Sequence, residues 1–203
     1  MNNTIKIINS KIVEKIAAGE VIERPSSIIK ELVENSIDAN SKNIEINIDR
    51  GGKELLIVKD DGIGIEENQI ELAFKRHATS KISSINDLNK ISTLGFRGEA
   101  LPSIASVSHV SMKTCLKNGE AYEYIIQAGK SGKVKPISRN RGTTVTVRKL
   151  FESIPARKKF LKSPESEQIS ITKTLKKYFL SYPEISFKYS NSKKTIYNLS
   201  GKN

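Results

Sequence analysis

The sequence predicts an α+β protein, a two-layer α/β sandwich with helices on one face of a mixed, mostly antiparallel sheet. Three observations carry this prediction. Helical patterns cluster early and strand patterns late, with a break between them. Paired strand runs near each end of the strand series read as hairpins. The early segment RPSSIIKELVENSIDAN, Arg24 to Asn40, has an apolar face suited to packing on a sheet.

A first helix is expected over SKIVEKIAAGEV, residues 10–21. The second is the segment just quoted. Pro25 suits its first turn, where the missing N–H is no loss. Ile28, Ile29, Leu32, Val33 and Ile37 spread over one half of the cylinder, while Glu31, Asn35 and Asp38 fall within about 60° of one another on the other half. A polar side normally means solvent. Asn is a poor mid-helix residue, however, and Glu31 with Asn35 is not a helix-supporting ion pair, so this stripe is a candidate site.

NIEINID and KELLIVKD follow, alternating runs joined by Arg50-Gly51-Gly52, which reads as a hairpin. Residues 66–93 are polar and weakly periodic, with a short helix near ENQIELAF; such a stretch is often a functional loop. A helix starts near GEALPSIASV, with Pro102 tolerable only in its first turn. Four strand runs come next, HVSMKTC, AYEYIIQA, KVKPIS and TTVTVRKLF. After IPARKKFL come a helix, EQISITKTLKKYFLSY, and a final hairpin of EISFKYS and KTIYNLS.

Composition narrows the function classes. Hydrophobic content of 37% and charged content of 28% fit a soluble globular protein, and 203 residues suffice for one domain or one domain with an appendage. No apolar run of about eighteen residues marks a membrane span, and the start lacks a secretory signal, so a cytoplasmic location is the expectation. Cys115 is the sole cysteine, which excludes internal disulfides and a cysteine zinc cage. The net charge of +12 favours polyanionic partners, including weak, sequence-independent contact with DNA through a basic surface. The excess is mostly scattered Lys, which an AT-rich coding sequence also explains.

Two glycine motifs carry chemistry. In KDDGIGI, Asp60 ends a strand ahead of Gly62 and Gly64, placing an acceptor beside backbone that a flat ligand can approach; an Asp-Gly pair ordinarily marks only a turn. An aspartate there can accept an exocyclic amine such as adenine N6. In TLGFRGEAL, Gly95, Phe96, Arg97 and Gly98 lead through Glu99, Ala100 and Leu101 into a helix whose free N–H groups and dipole suit phosphate. Glu99 in that first turn reads equally well as a dipole-compensating residue with no ligand role. The chain has neither G-x-x-x-x-G-K-[ST] nor G-x-G-x-x-G spacing. Between the motifs lies RHATSK, with Thr79, Ser80 and Lys81 near a phosphate path. His77 and His109 are read as structural. Thr143 begins a strand in RGTTVTV, where its hydroxyl is expected to join the Asp60 network.

The blocks IAAGEVIERPSSIIKELVENSIDA, DDGIGI, RHATSKI, LGFRGEALPSIASVS, GTTV and IPARKKFL, in this order, resemble the N-terminal ATPase region of the MutL DNA mismatch-repair family. The resemblance runs from near residue 5 to at least residue 165. That region belongs to the GHKL (Bergerat-fold) superfamily, with gyrase B, a heat-shock chaperone and histidine kinases, in which nucleotide lies between helices and sheet under a flexible lid.

The resemblance implies roles. Glu31 matches the general base that activates water against the γ-phosphate of ATP, and Asn35 the magnesium ligand. Asp60 matches the adenine-reading carboxylate, with Gly62, Gly64 and Thr143 beside it. Thr79, Ser80 and Lys81 fall in the lid, and Gly95 to Leu101 match the phosphate loop. No ligand role carries over to Asp38. The family usually has Asn-Thr or similar before PAR, where this chain has Ser153-Ile154.

The whole of residues 1–203 is expected to be the ATPase domain, with a following transducer subdomain, which sends a lysine to the γ-phosphate, and a C-terminal dimerisation domain both absent from the chain. The implied function is magnesium-dependent ATP hydrolysis that orders the lid and drives pairing of two copies. This couples mismatch recognition by MutS to a downstream nuclease or helicase. Turnover in this chain alone is expected to be weak or absent. The alternatives are a module that binds ATP or DNA without turnover, and a histidine-kinase catalytic domain.

Overall fold

The computed structural model describes residues 21–81, 93–95, 97–117, 119–127 and 130–202. The expected helix over residues 10–21 lies outside them except for Val21, which is helical.

Helix α1 (Pro25–Asp38) follows Arg24, whose extended backbone provides no side-chain cap. Its apolar positions Ile28, Ile29, Leu32 and Val33 are at most 3% exposed. Truncating Ile28 or Ile29 to alanine would cost about 2–5 kcal/mol, because the close-packed surroundings cannot collapse into the space. Asn40, at φ 57°, turns the chain into the sheet. Strands β1 (Asn43–Asp49) and β2 (Leu55–Asp60) pair antiparallel around the Arg50–Gly52 turn, as the hairpin pattern predicts. The helix expected near ENQIELAF is split into α2 (Glu67–Ile70) and a 3-10 turn at Leu72–Phe74. Helix α3 (Ala100–Val107) has Pro102 in its first turn.

Strands β3 (His109–Cys115), β4 (Ala121–Gln127), β6 (Lys135–Ile137) and β7 (Gly142–Arg148) match the four predicted runs. A two-residue strand, β5 (Lys130–Ser131), was not expected, and IPARKKFL contains a short helix, α4 (Pro155–Phe160). Helix α5 (Pro164–Ser181) leads to the final hairpin of β8 (Ser186–Asn191) and β9 (Thr195–Leu199).

The strands form one sheet in the order β5-β4-β3-β7-β2-β1-β8-β9, with β6 also paired to β4. Only β1 with β8 runs parallel among the described pairs, so the sheet is mixed and mostly antiparallel. Alternation buries Ile44, Ile46 and Ile48 on β1, Leu56 and Val58 on β2, and Val145 and Val147 on β7. These join Ile28, Ile29 and Leu32 of α1 and Ile171 and Leu175 of α5 in one core. Phe179 of α5 packs on Phe187 of β8, with ring centroids 5.0 Å apart. The two long helices thus lie over the centre of the sheet. Among the described residues no helix is long and apolar enough to cross a membrane.

Candidate functional site

Strand alternation places the first site residue. Leu56 and Val58 of β2 face the core, so Asp60, the next residue of that parity, faces it too and is 8% exposed. Its Oδ1 accepts the N–H of Gly62 at 2.9 Å and of Thr143 at 3.1 Å, and its Oδ2 accepts Ser36 Oγ at 3.0 Å. Burial pushes the Asp60 carboxyl above its ordinary value, and these hydrogen bonds pull partly back. Among the described residues, Oδ1 therefore has two donors and Oδ2 one, which leaves a second lone pair on Oδ2.

Thr143 belongs to this network, but by its backbone N–H. The predicted hydroxyl contact is wrong: Thr143 Oγ1 lies 3.1 Å from Thr114 Oγ1, which accepts the N–H of Ile65 at 2.9 Å. Thr114 thereby fixes the segment following Gly64. Gly64, at φ +81°, brings its backbone so near Cys115 that a Cβ would sit 2.3 Å from the Cys115 carbonyl oxygen. Only glycine fits both constraints.

The polar stripe of α1 forms a second cluster. Lys81 Nζ donates to Asn35 Oδ1 at 3.1 Å and to Asp38 Oδ2 at 2.5 Å. Asp38 also accepts the N–H of Leu94 at 3.0 Å and of Gly95 at 3.2 Å. One carboxylate thus ties the RHATSK segment and the start of the second glycine motif to the end of α1. Thr79 Oγ1 accepts the Lys81 N–H at 3.1 Å, and Ser80 is exposed. Gly98 approaches the same segment, since a Cβ there would meet Ala78 O at 2.4 Å, and His77 donates its N–H to Gly98 O at 3.2 Å. His77 Nδ1 is 3.4 Å from Glu99 Oε1.

Glu99 precedes α3 instead of lying in its first turn, and its carboxylate makes no capping bond. Ala100 and Leu101 occupy that turn and are half-buried; Arg97 is exposed, and Phe96 lies outside the described residues. Glu31, one turn before Asn35, is partly exposed and accepts Lys30 Nζ at 3.1 Å.

Sequence reasoning missed three contributors. Ser36 continues the apolar series 28, 29, 32, 33, and a hydroxyl at that place was the available signal for a buried polar partner. Asp38 lay in the stripe without a role. Thr114 gave no signal, because its partner Ile65 is 49 residues away.

Comparison with known proteins decides the family. Residues 23–154 match the model described as "Histidine kinase-, DNA gyrase B-, and HSP90-like ATPase". The chain belongs to this ATPase family. Within it, the chain is similar to curated DNA mismatch repair proteins named MutL. It is 53% identical over 195 residues to the DNA mismatch repair protein MutL of Clostridium botulinum, covering 95% of this chain and 29% of that protein. The Thermoanaerobacter pseudethanolicus MutL is 49% identical, with coverages of 98% and 33%. The chain spans about a third of the length of the curated relatives it matches.

The fold agrees. The Aquifex aeolicus MutL ATPase domain complexed with ADP superimposes with a TM-score of 0.75 at 31% identity, covering 90% of this chain and 66% of that one. A solved N-terminal domain of a DNA repair protein gives a TM-score of 0.77 at 32% identity, with coverages of 92% and 55%.

Proposed function

We propose that this chain is the ATP-binding and hydrolysing module of a DNA mismatch-repair protein. The observation that carries the reading is the buried Asp60 carboxylate, whose three donors among the described residues leave a second lone pair on Oδ2. An exocyclic amine such as adenine N6 would donate to it, and the ring would pass the close-packed backbone at Gly62 and Gly64.

The phosphates would then extend toward the α1 stripe, where Lys81, Leu94 and Gly95 converge on Asp38. A hard cation fits there, because Asn35 Oδ1 is already presented to a positive charge, the Lys81 ammonium. Asn35 would hold magnesium, which supplies neutralisation of phosphate charge. Glu31, one helical turn away on the same stripe, would orient water and take its proton as the γ-phosphate is attacked.

The wider role is MutL-like. ATP would order the RHATSK segment and promote pairing of two copies, and hydrolysis would reset the pair. That cycle would couple mismatch recognition by MutS to a nuclease or helicase, with DNA held weakly on the basic surface. The relatives' greater length leaves room for a lysine on the γ-phosphate from a following subdomain. Fixed charge aimed at a transferring phosphoryl group is worth several kcal/mol in the transition state. Hydrolysis by residues 1–203 alone is therefore expected near background, a binding module in practice.

Calorimetric titration with ATP and GTP, with and without magnesium, tests this reading. It predicts ATP binding that magnesium strengthens and GTP binding at least tenfold weaker; equal affinities would overturn it.

A further inference from the structure

Around Glu31 the structure contains a chain of contacts that the roles above do not use. Lys30 Nζ lies 2.8 Å from Glu34 Oε2 and 3.1 Å from Glu31 Oε1. The other oxygen of Glu34 accepts the Tyr178 hydroxyl at 2.7 Å, from α5, 144 residues along the chain. A one-turn Lys–Glu pair on a helix is commonly a solvated surface contact. This one differs, because Glu34 is 8% exposed and both its oxygens are engaged. Burial and the Glu34 bond push the Tyr178 hydroxyl up, so it stays a donor at all ordinary pH.

We infer that Lys30 is a positioning residue for Glu31, and that Glu34 and Tyr178 fix the place from which Lys30 acts. The inference rests on Glu31 being the general base. A lysine stem has several rotamers and alone would follow the Glu31 carboxylate wherever it turned. Anchored at 2.8 Å on a buried carboxylate that Tyr178 also grips, the ammonium becomes a fixed donor. Glu31 Oε1 is then held, and Oε2 is left for water. The sharing matters too, since an ammonium resting on Glu31 alone would neutralise the charge that makes it a base. Helix α5 thereby reaches Glu31, midway along α1, through three side chains, and any movement of α5 against α1 would change how the base is held.

The test is steady-state phosphate release by the native protein that contains this chain, in Lys30→Met, Lys30→Arg, Tyr178→Phe and the Lys30→Met/Tyr178→Phe double variant. Misplacing a catalytic group by about 1 Å can cost about 100-fold. A loosened base should therefore lower kcat about tenfold in Lys30→Met, with KM changed less than about twofold, and Lys30→Arg should recover most of the rate. Tyr178→Phe should lower kcat about threefold, and the double variant should be no slower than Lys30→Met, because Tyr178 acts through Lys30. Lys30 is half exposed, but its loss leaves the Glu34 carboxylate with Tyr178 alone among the described residues, so thermal unfolding of each variant is measured alongside and kcat is read on folded protein. An unchanged kcat in Lys30→Met, or losses that multiply in the double variant, would overturn the inference. Glu31→Gln run alongside separates the two ideas. If it still turns over, the base assignment falls; if it is dead while Lys30→Met is unimpaired, the base stands and the positioning role falls.

Discussion

The Lys81 ammonium bridges Asn35 Oδ1 and Asp38 Oδ2, at 3.1 and 2.5 Å, so the amide expected to hold magnesium already faces a cation. Two cations cannot share that oxygen without strong repulsion. Magnesium with nucleotide should therefore displace Lys81 from Asn35, changing the rate at which its amine is acetylated severalfold, as read by mass spectrometry. Asn35→Ala should remove the magnesium dependence of nucleotide binding. Protection of Lys81 that is identical with and without magnesium nucleotide would refute the exchange.

Asp60→Asn should separate function from stability. Ser36 Oγ has one proton and two acceptors, Leu32 O at 3.0 Å and Asp60 Oδ2 at 3.0 Å. An asparagine amide would donate to Ser36 and leave its proton for Leu32, while Oδ1 keeps the Gly62 and Thr143 donors. The variant also removes a buried charge. Thermal unfolding should show stability equal to or above wild type. A mispaired buried polar contact costs about 1–3 kcal/mol, so ATP affinity should fall roughly ten- to hundredfold.

Acid unfolding gives a third prediction, in which the two neighbouring aspartates act oppositely. Partial burial pushes the Asp61 carboxyl up, but the Asn43 side chain and the N–H groups of Asn43 and Lys42 outweigh it, leaving it below 3.8. A lowered folded value means stability present above 3.8 and lost as pH falls through that lower value. Asp60 has a raised value, so its charged form costs stability at neutral pH and the cost is relieved as pH falls toward 3.8. Asp61→Ala should thus lower the urea midpoint at neutral pH and lose part of the decline below 3.8, and Asp60→Asn should do neither.

Gly98→Ala tests the approach of the two motifs. At φ +61°, alanine is strained by roughly 1 kcal/mol, and its Cβ would meet Ala78 O at 2.4 Å. ATP and ADP affinities should fall together, because the phosphate side of the site is displaced. An unaltered ADP affinity would show that this approach does not shape the pocket.

Local pattern made much of this legible in the sequence. The period of 3.6 set α1 and its stripe, the period of 2 set β1, β2, β3 and β7, and the glycines after Asp60 marked the strand end where it sits. What escaped depended on partners far along the chain. Glu34 looks like any helical surface glutamate until Tyr178 of α5 packs over it. The Thr143 hydroxyl was expected at Asp60, but the β3–β7 register sets Thr143 opposite Thr114 and leaves only its N–H for the carboxylate. The split at Glu67–Ile70 and the two-residue strand Lys130–Ser131 are too short for periodicity to define.

In the proposed ATP site, α1 would carry a base, Glu31, and a metal ligand, Asn35, one turn apart. Glu31→Gln in the native protein containing this chain tests this arrangement most directly, with ATP affinity by calorimetry and phosphate release measured on the same preparation. The substitution keeps size and removes basicity, so affinity should stay within about twofold while hydrolysis falls about 10²–10⁴-fold. Hydrolysis at the wild-type rate in a clean preparation would contradict the account.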